Sequence, residues 1–596
     1  MLFVLIAAAM GQTCENTLEL RLQNDLAPKI ASFLTEGAGL DSVTEYPECL
    51  NSPNSTYAII HWKKNDIHFM QYGFCLPPSC TEQLCSPILN NFIQSNNFTN
   101  LISNEGYEIH FIPYKSQTIE IQGIFFLSCF LLMIVFGVIG TVFNNNLKNS
   151  SFWQAFSIKD NFNKLLYQSC SEGDFQFFDG IRAFCSVLIV IYHINAFTFL
   201  IPSKNRAELL EVIKGKMFHL VLSSTYSVDS FFFMAGVLMV VNTIAEIRRK
   251  DGKVNWVLLI IRRAIRYYPV FLFIVGFDCL AHGLPPAASQ VLPTYNLVKN
   301  SVGDWVKSLV FMHSFLPKDR LFYLPWTWTT ASDFYYYILS CFIVSVYTKK
   351  KSSAYLIILA VILLSTIYTV TISYIHNLSP LHFDVSMNFS QMFKIYFNPF
   401  TRFAPYLIGN IVGFIYLTSK KKEVSVAYEV KDEFGDRFER KCLQMCKIKN
   451  CRVLIYVLGF GLLGFLIFGP IILEIIGEDK VNLATKAGLL GFQRPLIGLS
   501  LALIFLPMIL GYNNWLQRAL SFKVFGLVSK LSYTIYNIHI TIFAIAYMSG
   551  NFERQWSWFT VASCIVIIYS LASIIAAFVQ VLIESPILNL ERKILR

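Results

Sequence analysis

The sequence predicts an all-α polytopic membrane protein, about eleven transmembrane helices behind a small disulfide-containing N-terminal ectodomain, and three observations predict it. First, 54% of the 596 residues are hydrophobic and 15% are charged, against roughly a quarter charged in an ordinary soluble domain. Second, from Ile121 onward the apolar residues fall in runs near the roughly 20 residues that a membrane-crossing helix needs. Third, the basic residues collect in alternate gaps between those runs, as cytosolic loops do. The net charge of +11, from 49 Lys and Arg against 38 Asp and Glu, therefore orients spans, and no nucleic-acid partner is expected.

In chain order, residues 1–11 are an uncharged apolar run ending in small residues, read as a signal peptide. Residues 12–118 then lie in the lumen or outside the cell. They hold Cys14, Cys49, Cys75, Cys80 and Cys85, with sequons at Asn54 and Asn97, the composition of an oxidised, glycosylated ectodomain. The cysteines are odd in number, and sequence alone does not choose their pairing. Residues 119–178 supply the first transmembrane helix and a cytosolic linker.

Spans are expected near residues 121–143, 179–201, 218–243, 256–280, 326–347, 353–375, 402–418, 453–475, 494–512, 527–548 and 557–583. With a lumenal N-terminus, the gaps holding Arg248 to Lys253, Lys349 to Lys351 and Lys420 to Arg452 all fall in the cytosol. The C-terminus with Arg592, Lys593 and Arg596 falls there too. The sequons at Asn377 and Asn388 then lie in a lumenal loop, and the one at Asn149 is cytosolic. Membrane lipids are the expected surroundings, in the endoplasmic reticulum or plasma membrane of the secretory pathway. The loop 419–452 carries Cys442, Cys446 and Cys451 without a histidine or a CxxC pair. No metal site is predicted there or elsewhere, and juxtamembrane palmitoylation suits those cysteines better. Gly459 to Gly464 fits a dinucleotide fingerprint, but it lies inside an apolar span with no preceding strand.

Charged groups inside a bilayer cost at least ~2.5 kcal/mol each and are functional candidates by default. The second span opens with Asp179 and Arg182 and reaches His193. Eleven steps of about 100° return to nearly the same helical face, roughly 16 Å further along. An interfacial cation thus points the same way as an imidazole near mid-membrane, whose neutral form can accept a proton. The third span carries Asp229. The fourth begins with Arg262, Arg263 and Arg266 before Tyr268 and Pro269, a cluster suited either to phosphates or to ordinary interfacial anchoring. The fifth carries Trp326, Trp328 and Asp333, the acid being a proton partner or an ion-paired strut. Arg402 stands at the mouth of the seventh span and His539 within the tenth.

Taken together, these residues resemble the membrane acyltransferase 3 family, and within it the nose-resistant-to-fluoxetine branch. In the ectodomain, Gly73-Phe74-Cys75-Leu76-Pro77-Pro78-Ser79-Cys80 resembles that branch's Gly-x-Cys-x-Pro-x-x-Cys core. In the membrane part, Arg182 with His193 is similar to the family's Arg-x10-His motif, and Val228 to Phe233 to its Asp-x-Phe-Phe segment. Arg262 to Pro269, Trp328 with Asp333, Thr401-Arg402 with Pro405 to Gly409, Ser532 to His539 and Glu584-Ser585-Pro586 follow in the family's order. The resemblance covers nearly the whole chain. It implies a ten-helix acyltransferase 3-type bundle over 179–596, preceded by one extra span and by a cysteine-containing domain over 12–118. Three departures stand out: Tyr335 where the branch usually has Gln, Ala235 where it has Ser, and a missing Cys upstream of the Trp motif.

The activity implied is transfer of an acyl group from cytosolic acyl-CoA to a hydroxyl or amine of a lipid, sterol, glycan or lumenal small molecule. His193 and Asp333 are the implied catalytic residues, and Arg182, Arg262, Arg263 and Arg266 the implied ligands of the coenzyme A phosphates. Asp179, Trp328, Tyr335, Arg402 and His539 would line the substrate tunnel. The competing expectation is a transporter of lipids or xenobiotics that uses the same intramembrane path without covalent chemistry.

Overall fold

Every predicted apolar run is helical over its described residues. The computed structural model describes residues 14–26, 56–64, 67–77, 79–95, 107–113, 121–146, 151–167, 173–198, 205, 208–209, 211–212, 215–216, 218–282, 307–312, 324–380, 392–420, 432–512, 515–548 and 555–595. The expected signal peptide, Cys49 and the sequons at Asn54, Asn97, Asn149 and Asn388 lie outside these residues. Within them the N-terminal part has three strands, β1 (Thr56–Lys64), β2 (Ile67–Leu76) and β3 (Tyr107–Pro113), and helix α1 (Glu82–Ser95). The strands form one antiparallel sheet in the order β2-β1-β3, a feature the apolar-run reading did not address.

Cys14 and Cys80 form a disulfide, and Cys75 is disulfide-bonded as well. Cys75 is the penultimate residue of β2, and Cys80 follows a turn closed by its N–H on the Pro77 carbonyl at 3.0 Å; since Cys80 is bonded to Cys14, the two cysteines of the ectodomain motif serve different bridges. Cys85 is a buried free thiol with its Sγ 3.9 Å from that of Cys14. Burial pushes this thiol up to about 11, which keeps it protonated and slow to attack the neighbouring bridge.

The membrane part is all helix: α2 (Ile121–Asn146), α3 (Phe177–Thr198), α4 (Tyr226–Arg249), α5 (Trp256–His282), α6 (Trp328–Tyr347), α7 (Lys351–Ile375) and α8 (Phe403–Ser419). An amphipathic helix, α9 (Glu433–Lys447), separates these from α10 (Lys449–Ile476), α11 (Leu483–Ile509), α12 (Val524–Met548), α13 (Trp558–Val579) and α14 (Ser585–Ile594). Seven helical stretches among the described residues are long and apolar enough to cross a membrane, and α8 is a shorter apolar helix. Large apolar side chains such as Phe125 and Leu132 on α2, Val457 on α10 and Phe559 on α13 face outward. Such a surface is a liability in water and is what acyl chains cover.

Glycines set the closest approach. A Cβ at Gly236 on α4 would stand 2.1 Å from the Tyr406 carbonyl oxygen, and one at Gly409 on α8 would stand 2.3 Å from that of Phe233. Backbone faces backbone at both points, as small-residue interfaces allow between membrane helices. Gly409→Ala is expected to cost at least the ~1–3 kcal/mol of overpacking, because a backbone carbonyl cannot rotate away. A thermal melt of the detergent-solubilised protein checks it, and Gly461→Ala, where a Cβ meets nothing within 4 Å, is the matched control.

The insertion expected as a cytosolic loop contains, among its described residues, the helix α9, latched to the bundle. Glu439 on α9 is fully buried and accepts from Tyr347 Oη (2.6 Å), Tyr355 Oη (2.8 Å), Thr418 Oγ1 (2.6 Å) and Lys351 Nζ (2.7 Å). Asp432 caps α9 by accepting the Gly435 N–H at 2.9 Å, and it also accepts the Ser352 N–H and hydroxyl at the start of α7. The Gly435 N–H first, and then Ser352, hold this carboxyl down from 3.8 to about 2. Its folded value lies below its unfolded one, so its contribution is complete above about pH 4 and disappears as the pH falls through about 2. Hydrogen exchange of α9 should accelerate across that window in wild type, and Asp432→Asn should lose the dependence. Cys446 on α9 is buried, which removes it as a palmitoylation site.

Candidate active site

Two histidines that lie far apart in the chain meet inside the bundle. His193, five residues before the end of α3, and His539 on α12 place Nδ1 of the first 2.8 Å from Nε2 of the second. Their rings stack with centroids 5.0 Å apart. His539 is fully buried, whereas His193 is partly exposed. The hydrogen bonds assign the protons. His539 Nδ1 lies 2.9 Å from the Ile535 carbonyl, which can only accept, so Nδ1 carries the hydrogen. In a neutral His539 the bare Nε2 then accepts from His193 Nδ1–H, and His193 Nε2 is left with its lone pair and no bonded partner among the described residues.

A ladder of aromatic side chains on α12 connects this pair to Asp333. Tyr536, one turn before His539, stands with its ring 6.3 Å from that of His193, and Tyr533 packs 5.6 Å from Tyr267. Tyr267 Oη donates to Asp333, which also receives Arg263 through Nη2 at 2.5 Å and Nε at 3.2 Å. Of the two roles the sequence leaves open for this acid, the structure shows the ion-paired one. Tyr335, two residues on along α6, packs in the cluster of Tyr267 and Phe311 and donates its hydroxyl to the Phe311 carbonyl, which makes it part of the packed wall.

The three arginines expected to act as one anion site are split. Arg262 and Arg263 are sequence neighbours, so their side chains leave α5 about 100° apart. Arg263 turns inward to Asp333. Arg262 pairs with Glu246 at 3.1 Å and Glu591 at 3.1 Å, and donates to the Leu595 carbonyl of the C-terminal segment. Arg266 is exposed. Arg182 pairs with Asp179 at 3.3 Å, and Asp179 also accepts Ser529 Oγ at 2.9 Å. These contacts tie α3 to α12 below the histidines.

A second buried ionic group lies at the start of α4. Asp229 is bound through Oδ1 by Arg402 Nη1 at 3.0 Å and through Oδ2 by Arg494 Nη1. Arg402 also lies over the rings of Tyr396 (4.4 Å) and Trp328 (5.0 Å). Arg402 lies within electrostatic reach of Tyr192, the chain neighbour of His193, and of Tyr536, whose ring stands beside that of His193. Arg494 is a residue the sequence reading missed. The ninth span was expected to begin at residue 494, which placed Arg494 at its edge, but Asn482 caps α11 by accepting the Thr485 N–H at 2.8 Å. The helix therefore starts about 16 Å earlier and carries Arg494 into the interior. The available signal was an arginine set directly against an apolar run.

A family model described as an acyltransferase domain matches residues 175–579, which contain the histidine pair, the Arg263–Asp333 pair and the Asp229–Arg402–Arg494 group. The chain belongs to the acyltransferase 3 family. The chain is also 21% identical over 525 residues to "Nose resistant to fluoxetine protein 6" of Caenorhabditis elegans, across 79% of this chain and 60% of that protein. It thus spans less than two thirds of the length of that curated relative. No solved structure matches. Within an acyltransferase 3 domain, the bundle thus brings together two facing histidines, the Arg263–Asp333 pair beside Tyr267, and an ionic triad of Asp229, Arg402 at the entry to α8, and Arg494.

Proposed function

We propose that this membrane acyltransferase takes its acyl group from acyl-CoA and passes it to a hydroxyl or amine, with His193 as the general base. The observation that carries the reading is the proton assignment of the histidine pair, which leaves His193 Nε2 as a bare acceptor in a partly open position. Nε2 takes the proton of the acceptor as its oxygen or nitrogen attacks the thioester carbonyl. The carbon–sulfur bond then breaks, and the leaving thiolate recovers that proton from Nε2–H. Base assistance of this kind is worth ~10²- to 10⁴-fold. His539 holds the ring and its tautomer.

The residues fit a phosphorylated donor unevenly. Arg266 is open to a phosphate. Arg262 would have to exchange Glu591 and the Leu595 carbonyl for one. Arg263 stays with Asp333 and supports the wall. Acyl-CoA supplied to the reconstituted protein should release free thiol only when an acceptor is present. A transporter would instead move its solute across liposomes with no thioester at all, and that result would overturn the reading.

A further inference from the structure

The Asp229–Arg402–Arg494 triad carries one carboxylate for two guanidinium groups. Arg402 is fully buried, Asp229 fully buried and Arg494 is 5% exposed at its side chain. No second carboxylate bonds either arginine among the described residues, so the group holds an excess positive charge inside the membrane. It also holds unused donors. Arg402 Nη2 and Arg494 Nε are buried with no hydrogen-bond partner, although both guanidinium groups are pinned to the same acid. Buried cations and buried N–H groups are normally matched, and two unmatched donors on one excess charge are what a bound oxyanion would satisfy.

Its place in the bundle separates this site from the donor arginines. Asp229 lies in the first turn of α4, whereas Glu246, which holds Arg262, lies about 25 Å further along the same helix. His193 is near the end of α3 that leads toward the start of α4, on the Asp229 side. We propose that the triad binds the head group of the acceptor, and that the acceptor is an amphiphile bearing a carboxylate or phosphate. This rests on the acyl-transfer reading for the word acceptor, but not for the binding. It excludes a neutral sterol as the preferred acceptor, because a neutral head leaves the excess charge unmet.

Arg494→Gln is the informative variant, since it removes the excess cation while Asp229 keeps Arg402. Full-length protein in detergent is titrated with dodecanoate, dodecyl phosphate and dodecanol. At least one anion should bind wild type more tightly than dodecanol and lose about tenfold or more in Arg494→Gln, while dodecanol is unchanged. The anion that loses affinity identifies the head group as carboxylate or phosphate. Arg494→Lys should retain the binding, and Asp229→Asn, which adds to the excess charge, should tighten it, a gain that misfolding cannot produce. Equal binding of both anions to wild type and Arg494→Gln, or anions no tighter than dodecanol, would overturn the proposal. No thioester enters the assay, so its readout does not depend on acyl transfer. If acyl transfer is absent and the Arg494→Gln loss persists, the catalytic reading fails and this site stands.

Discussion

His193→Ala is expected to lower acceptor-dependent thiol release by ~10²- to 10⁴-fold with little change in melting temperature. The side chain is partly exposed and its bonded partner among the described residues, His539, keeps the Ile535 carbonyl, so the expected loss is chemical rather than structural. On the proposed reading His539 acts through His193 and is a positioning residue. His539→Ala should reduce kcat by a smaller factor and leave KM for the donor nearly unchanged. His539→Gln, whose carbonyl oxygen can accept from His193 Nδ1–H, should restore part of it, and a purely structural role would not show that rescue.

A large stability effect is expected at the mostly buried pair formed by Arg263 and Asp333. Removing one partner leaves the other charge uncompensated, and breaking a mostly buried pair of this kind costs up to ~3–5 kcal/mol. Arg263→Met and Asp333→Leu should each fall in that range. The double variant should recover much of the loss, because two apolar side chains can replace a buried pair at little cost. A double-mutant cycle on thermal or denaturant unfolding in detergent measures this. Additive losses would mean that the two residues do not stabilise each other. Tyr267→Phe tests the remaining hydrogen bond to Asp333, and should cost about 1 kcal/mol.

How far the sequence could be read follows from what kind of signal each feature leaves. The spans were legible because a helix in lipid must be apolar along its whole length, and each predicted run from 121–143 to 557–583 is helical. Single charges such as Arg402 and Asp333 were legible for the same reason, as exceptions. Their partners were not. His193 and His539 are 346 residues apart and Asp229 and Arg494 are 265 apart, so their contacts arise only from how the helices pack. Arg262 and Arg263 looked alike in sequence, yet one residue of helical rotation sends them to different acids. The latch on Glu439 was hidden because charged residues on an amphipathic helix read as a solvated surface, and its burial appears only when α9 docks.

The central claim is that an acyl group leaves a thioester inside this bundle with the help of His193. Incubating the reconstituted protein with isotope-labelled acyl-CoA and a crude lipid extract, then recording mass spectra of the products, tests it most directly. The prediction is a mass-shifted ester or amide, formed in step with free coenzyme A and missing from His193→Ala. Label that stays in the thioester or appears only as free acid, in wild type and variant alike, would contradict it.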